Sequence, residues 1–248
     1  MRVFLLKTDK IGSGPYELSK KEMKYLSEVL RLEDGTLFKA KDGKENLYDA
    51  RLMGGILELT PSADKDNVLD SMPGWQGPRA DITVYACMLK GKKNEKITRE
   101  LQEAGVKRLC FVRSVFTQTK ELSSHDRERI ETIRNEAVQQ SGGRVMEISG
   151  PISFEEAIEE AEGRSFILHQ GVRKKSSNLV KELYGTDGME ISLFIGSEGG
   201  FSDEECEAAE GKGIVPVLLN TNILRAETAA IYAVAGEQTL LNLEKAND

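Results

Sequence analysis

The sequence predicts a two-domain α/β protein: a small β-barrel-like domain with one helix, then a larger domain whose mostly parallel sheet is covered by helices on both faces. Three observations predict it. Before Thr60 the chain holds short β-like runs around a single amphipathic helix; Thr60 to Asp81 collects three of the six prolines with Gly74 and Gly77 and has no periodicity; beyond it strands and helices alternate. The boundary is placed between residues 72 and 73, giving domains 1–72 and 73–248.

The runs VFLL (Val3 to Leu6), TLFKAKD, NLYDARL and GILEL read as strands, with Asp42 and Gly43 marking a hairpin turn. Ser19 is placed to cap the helix KKEMKYLSEVLRL, whose Met23, Leu26, Val29 and Leu30 share one face. After the linker come strand ITVYACML, a helix to about Ala104, strand RLCFV, a long helix to about Gln140 and strand VMEI. A helix from Phe154, strand SFILHQ, a short helix near Leu179, strand ISLFIG, a helix from Asp203, strand IVPVLLN and a last helix from Ala226 complete the pattern. Open sheets of this kind bind ligands beyond the carboxyl ends of their strands, so the loops after Ile195 and Asn220 are the places to search.

Composition narrows the class further. With 39% apolar and 30% charged residues, and no apolar run near the length of a membrane helix or a secretory signal, the chain reads as cytoplasmic with no membrane partner. Cys87, Cys110 and Cys206 are far apart and lack metal-ligand spacing, so they read as small buried hydrophobes and no metal is expected. The net charge of -7 disfavours simple nucleic-acid binding, but its distribution is uneven. Residues 75–125 carry 10 basic and 5 acidic side chains, against 12 and 13 before them and 12 and 23 after. Lys90, Lys92, Lys93, Lys96 and Arg99 crowd one helix start, either as a phosphate-binding face or as an ordinary solvated one.

Two loops carry candidate chemistry. In FIGSEGGFSDEE a buried strand ends, glycines permit close backbone approach, and Ser202 with Glu205 forms a capping box for the next helix. The loop has neither the Lys-Ser/Thr of a P-loop nor G-x-G-x-x-G, which disfavours a dinucleotide site. In LLNTNILRAETA, Arg225 stands just before a helix, where a cation opposes the helix dipole unless Glu227 or a ligand's negative charge compensates it. His125 precedes a helix start and reads as structural; Phe116 and Phe201 each offer a face for stacking a base.

These two segments, in this order and spacing, resemble the cofactor-binding signature of the RsmE family, the bacterial small-subunit rRNA uridine N3-methyltransferases of the SPOUT superfamily. YLSEVLRLEDG, LKGKKNEKI, EAGVKRL, RSVFTQTK and RNEAVQQSGGRVMEI add matches in family order, so the resemblance spans nearly the whole chain. It implies a PUA-like N-terminal β-barrel that binds RNA, a SPOUT-type C-terminal domain with a deep trefoil knot, a homodimer, and S-adenosylmethionine held in the knot loops. The implied cofactor-binding residues are Leu168, His169, Gly196, Ser197, Glu198, Gly199, Gly200, Leu219, Asn220, Ile223, Leu224, Arg225, Glu227 and Thr228. Arg225 is expected to stabilise the charge that develops on the uracil, and Glu198 either to accept a proton or to orient the cofactor's amino group. His169 matches the family's His at this point, with a structural role as the alternative.

The implied substrate is 16S rRNA in the assembled small subunit, its base flipped out to expose N3, with Arg2, Arg31, Lys90, Lys92, Lys93, Lys96 and Arg113 as RNA-binding candidates. The chain departs from the family at Ser197 (usually Pro), Asn220 (Gly), Asn222 (Arg) and Glu100 (Lys), and QSGGRV is one residue short. These departures motivate two alternatives: a non-catalytic RNA-binding or assembly factor of the same fold, and a SPOUT methyltransferase acting on another RNA.

Overall fold

The computed structural model describes residues 3–7, 14–63, 77–171, 176–183 and 190–244. Its contacts divide the chain into two compact units, Met1–Gly77 with Val138–Arg144, and Pro78–Ala137 with Val145–Asp248.

The first unit is a mixed five-stranded sheet in the order β1-β3-β4-β5-β2, built from β1 (Val3–Leu5), β2 (Gly14–Glu17), β3 (Leu37–Lys41), β4 (Leu47–Met53) and β5 (Ile56–Pro61). β2, a GPYE segment that periodicity did not reveal, pairs antiparallel with β5. Asp42 fastens the β3–β4 hairpin by accepting from the Lys44 and Asn46 N–H groups, the Asn46 side chain and the Tyr48 hydroxyl. Burial alone would raise its pKa, but these donors hold the carboxyl below its usual value. Helix α1 (Lys20–Lys24) starts with a full Ser19–Glu22 capping box, then widens into one π-helical stretch at Tyr25–Val29. The wider turn breaks the expected stripe: Leu26 is buried, but Val29 is turned out to solvent.

The second unit is a seven-stranded, wholly parallel sheet in the order β10-β12-β9-β11-β6-β7-β8. Its strands are β6 (Asp81–Cys87), β7 (Arg108–Arg113), β8 (Glu147–Ser153), β9 (Arg164–Leu168), β10 (Ser177–Asn178), β11 (Glu190–Ile195) and β12 (Val215–Leu218). The helices between and after them are α2 (Lys93–Glu103), α3 (Ser124–Ser141), α4 (Phe154–Glu160), α5 (Leu179–Leu183), α6 (Asp203–Gly211) and α7 (Ala226–Glu244). The segment expected to be linker is narrower than Thr60 to Asp81, because β5 runs through Pro61 and β6 begins at Asp81; residues 64–76, with Trp75, lie outside the described residues. VMEI is strand only from Glu147, and the two-residue β10 has too little periodicity to read.

Alternation along the strands explains why both faces are covered. Ile82, Val84 and Ala86 of β6, with Leu109 and Phe111 of β7, face a core closed by α2, α3, α5 and α7. The intervening Tyr85 and Cys87, with Cys110 and Val112, face a second core closed by α4 and α6. There Tyr85 and Phe194, opposite each other in register, stack at 4.6 Å between centroids. All three cysteines are buried thiols in this second core.

Glu237 on α7 is fully buried, and neither carboxyl oxygen has a hydrogen-bond partner among the described residues. Burial pushes its pKa well above the ordinary value. The folded state therefore binds this proton more tightly than the unfolded state, so the group's stabilising contribution is complete below about pH 4.3 and lost as pH rises through the raised folded value. Glu237→Gln is expected to remove this slope and to be more stable than wild type by about 1–3 kcal/mol at pH 8, with a smaller gain at pH 5. Denaturant unfolding at both pH values checks this; a gain that does not grow with pH would refute it.

Candidate functional site

The carboxyl ends of four strands finish at one level. Ile195 of β11 lies opposite Ala86 of β6 and Leu168 of β9, and Leu168 lies opposite Val217 of β12. Beyond this edge is a cavity of about 640 Å³, within the range of small-ligand sites. Leu168, His169, the run Gly196–Gly200, Leu219 and Ile223–Arg225 line it, as expected. Asn220, Glu227 and Thr228 do not: Asn220 is turned into a neighbouring apolar groove, and Glu227 is buried in the first turn of α7. Asn222, noted only as a departure from the family, joins the lining, as do Gln170, Thr221 and Ala229, which were not singled out.

The loop Gly196–Gly200 folds back on itself. Gly200 donates its N–H to the Ser197 carbonyl at 2.9 Å, and a Cβ on Gly196 would lie 2.8 Å from the Gly200 Cα, so no side chain fits there without moving backbone. Ser197 is buried, and its Oγ has no hydrogen-bond partner among the described residues. Ser202 caps α6 through the expected box with Glu205. The buried Glu205 also reaches across to β7's exit: one oxygen accepts from the Ser202 N–H and the other from the Val115 N–H, each at 2.8 Å.

Glu198 is partly exposed at the cavity wall. Its Oε1 accepts from Lys93 Nζ at 2.5 Å and from the Lys90 N–H at 3.3 Å. Burial would raise its pKa, but the Lys93 hydrogen bond and charge, with the backbone donors, hold it below the usual carboxylate value. Lys93 thus belongs to the cavity itself, although its place in a basic cluster suggested only RNA contact. Arg225 is exposed on the last residue before α7, and its side chain has no ion pair among the described residues, so the local pairing with Glu227 does not form. Glu227 instead faces α2. Burial pushes up the Glu100 pKa and the Glu227 and Glu103 charges add to this, against the opposing Lys96; Glu100 and Glu227 each keep a buried oxygen without a hydrogen-bond partner among the described residues.

The other basic candidates are arranged as follows. Lys90 and Lys92 are exposed, Lys96 lies near Glu100 at 3.8 Å, and Arg113 pairs with Glu121 at 3.2 Å. Arg31 is exposed on the first unit with φ of 54°, and Arg2 lies outside the described residues. Phe201 belongs to the cavity lining but is buried against Phe154, so little of its face is open to a base.

A parallel α/β sheet with a glycine-lined cavity at its carboxyl edge and lysines at the rim defines the class, and a family model described as an RNA methyltransferase domain matches residues 76–237. A curated ribosomal RNA small subunit methyltransferase E from Synechocystis is 29% identical over 239 residues, covering 94% of this chain and 76% of its own. The protein of the same name from Aquifex aeolicus is 33% identical over 165 residues, covering 64% of this chain and 68% of its own. The crystal structure of a Neisseria gonorrhoeae ribosomal RNA small subunit methyltransferase E bound to S-adenosyl methionine superposes with a TM-score of 0.78 at 24% identity, covering 97% of this chain and 98% of that one. The chain belongs to the ribosomal RNA small subunit methyltransferase E family of RNA methyltransferases.

Lys93→Met is expected to raise the Glu198 pKa, since it removes both a charge and a donor. Carboxyl chemical shifts followed through a pH titration check this. An unmoved Glu198 would show that the backbone donors alone hold it.

Proposed function

We propose that the chain transfers a methyl group from S-adenosylmethionine to N3 of a uridine in 16S rRNA of the small ribosomal subunit. The observation that carries the reading is the single cavity wall that brings together the Gly196–Gly200 loop, Glu198 and Arg225, supported by membership of a family whose curated relatives are named ribosomal RNA small subunit methyltransferase E. The residues present fit the cofactor: the Gly196 cradle admits no Cβ, and Ser197 contributes a buried polar atom with no partner among the described residues. Bound there, S-adenosylmethionine supplies an electrophilic methyl group. Leu168, Leu219 and Leu224 offer apolar walls for its adenine and ribose, and the strand ends offer fixed N–H and C=O partners.

Attack by N3 requires loss of its proton, in this reading to solvent water. That loss spreads negative charge over N3, O2 and O4, and the methyl transfer leaves the demethylated thioether as the departing product. Arg225, unpaired with any protein carboxylate among the described residues and set at the cavity rim, is placed to meet that charge. Glu198 is a poor proton acceptor, because Lys93 lowers its basicity; we assign it to orienting the cofactor's amino group. Lys90, Lys92 and Arg113 hold backbone phosphates in this reading, and the first unit serves as the PUA-like RNA-binding domain. We also place the domain boundary between residues 72 and 73 and the trefoil knot in the loops around the cavity, by likeness to the family. The absence, among the described residues, of any helix long and apolar enough to cross a membrane accords with a cytoplasmic site of action.

Transfer of labelled methyl to small subunits lacking this modification, with reverse transcription to map the site, tests the reading. N3 methylation blocks Watson-Crick pairing and stops the polymerase at one uridine; label without a stop would sink the base-methylation reading. Arg225→Ala is expected to lower the single-turnover rate at least a hundredfold, about 2.7 kcal/mol, with cofactor affinity kept within threefold. A wild-type rate in that variant would remove Arg225 from the chemistry.

A homodimer is part of the same proposal. Beside the cavity, and sharing Leu218 and Leu219 with it, runs an apolar groove of about 580 Å³ between α5, the end of β12 and α7. Val180 and Tyr232 are about half exposed there, an arrangement that a second copy would cover. Tyr232→Glu is expected to shift the protein from dimer to monomer in light scattering at micromolar concentration. An unchanged mass would place the interface elsewhere.

A further inference from the structure

Two exposed large apolar side chains of the second unit, Val115 and Phe116, stand side by side at the tip of a turn, 66% and 46% exposed. They are the central pair of a β-turn closed by the Thr117 N–H on the Ser114 carbonyl at 3.1 Å. Turn tips favour Gly, Asn, Asp and Ser, so an aliphatic and an aromatic residue here have no local conformational reason. Nor is the turn loose. The Ser114 N–H donates to Thr117 Oγ1 at 3.0 Å, the two hydroxyls lie 3.0 Å apart, and the Val115 N–H is held by the buried Glu205.

The turn also touches the cofactor loop. A Cβ on Gly199 would come within 2.9 Å of the Phe116 Cβ and 3.3 Å of its ring, so the aromatic side chain packs directly on the loop that carries Glu198. Phe116 is therefore an ordered ring braced from behind, with roughly half its surface left to solvent. Among the described residues, the other large exposed aromatic is Tyr232, in the apolar groove away from this wall.

We propose that Phe116 is a stacking platform for the target base. A pyrimidine whose Watson-Crick edge must reach a methyl donor has left its helix and lost its stacking neighbours. A rigid aromatic face packed on Gly199, in the loop that lines the cavity, replaces one of them, and stacking suits uracil without needing hydrogen-bond readout. Backbone phosphates on either side of the flipped nucleotide then meet Lys90, Lys92 and Arg113, while Phe116 sets the base's plane relative to Arg225. The inference rests on the base-methyltransferase reading and adds the residue that holds the base.

Steady-state methylation of small subunits by Phe116→Ala, Phe116→Leu and Phe116→Tyr, with cofactor affinity measured in parallel by calorimetry, tests it. Leucine keeps apolar packing on Gly199 but has no π-face; tyrosine keeps both. The expected result is a loss of tenfold or more in kcat/KM for Ala and Leu, Tyr within threefold of wild type, and cofactor affinity within twofold throughout. A Leu variant as active as wild type overturns the proposal, as does a loss shared equally by Tyr. If wild-type protein leaves N3 unmethylated, the function reading fails, and the platform is judged by Phe116→Trp in a Trp75→Phe background. Quenching of its fluorescence by a single-stranded uridine oligoribonucleotide supports stacking, and unchanged fluorescence overturns it.

Discussion

Parallel register across β9, β11 and β6 is the constraint on which the site rests. Each strand pairs without a slip, so Leu168, Ile195 and Ala86 end together and the loops leaving them share one floor. Glu205 then fixes the height of what stands on that floor. Its two oxygens hold the start of α6 and the exit of β7, and losing them would leave two N–H donors without their partner, at a cost of about 1–3 kcal/mol each if they stay buried. Register sets position to within a residue, and a buried carboxylate sets the remaining angles.

The seam between α2 and α7 is built differently. Glu100 and Glu227 lie near each other with a buried oxygen apiece lacking a hydrogen bond, and Glu237 lies buried further along α7. Burial favours the protonated form of Glu237 and of Glu100, so the packing of these helices weakens as pH rises. The helices that flank the cavity are thereby tied to solution pH through groups outside its lining.

Much of this was legible in the sequence because the signals were physical. The order of strands and helices after the linker follows from strictly alternating strand and helix patterns, and the caps at Ser19 and Ser202 were visible as Ser-x-x-Glu. What escaped had no local signature. β2 and β10 are short and take their form from their partners, and Val29 is displaced by a π-turn whose cause is not in the heptad-like spacing. Of the site, the two loops were readable, since glycine and a cation before a helix are unusual choices. The Lys93–Glu198 pair joins residues 105 apart in sequence, and no periodicity reports a contact of that range. Asn220 shows the converse: nearness in sequence to the second loop suggested a lining position, but the side chain leaves on the groove side.

The basic middle stretch has a further property. Lys93, Lys96, Arg99 and Arg113 each lie within 4 Å of a carboxylate, namely Glu198, Glu100, Glu136 and Glu121. A phosphate approaching any of them meets an occupied partner and has to exchange with it, so the gain from contact is the difference between two ion pairs. Random RNA, offering only scattered phosphates, gains little by that exchange, whereas a preassembled surface that presents several phosphates in register can displace several carboxylates together. In the proposed role the protein's own acids would act as a threshold, turning a generic attraction into discrimination by shape.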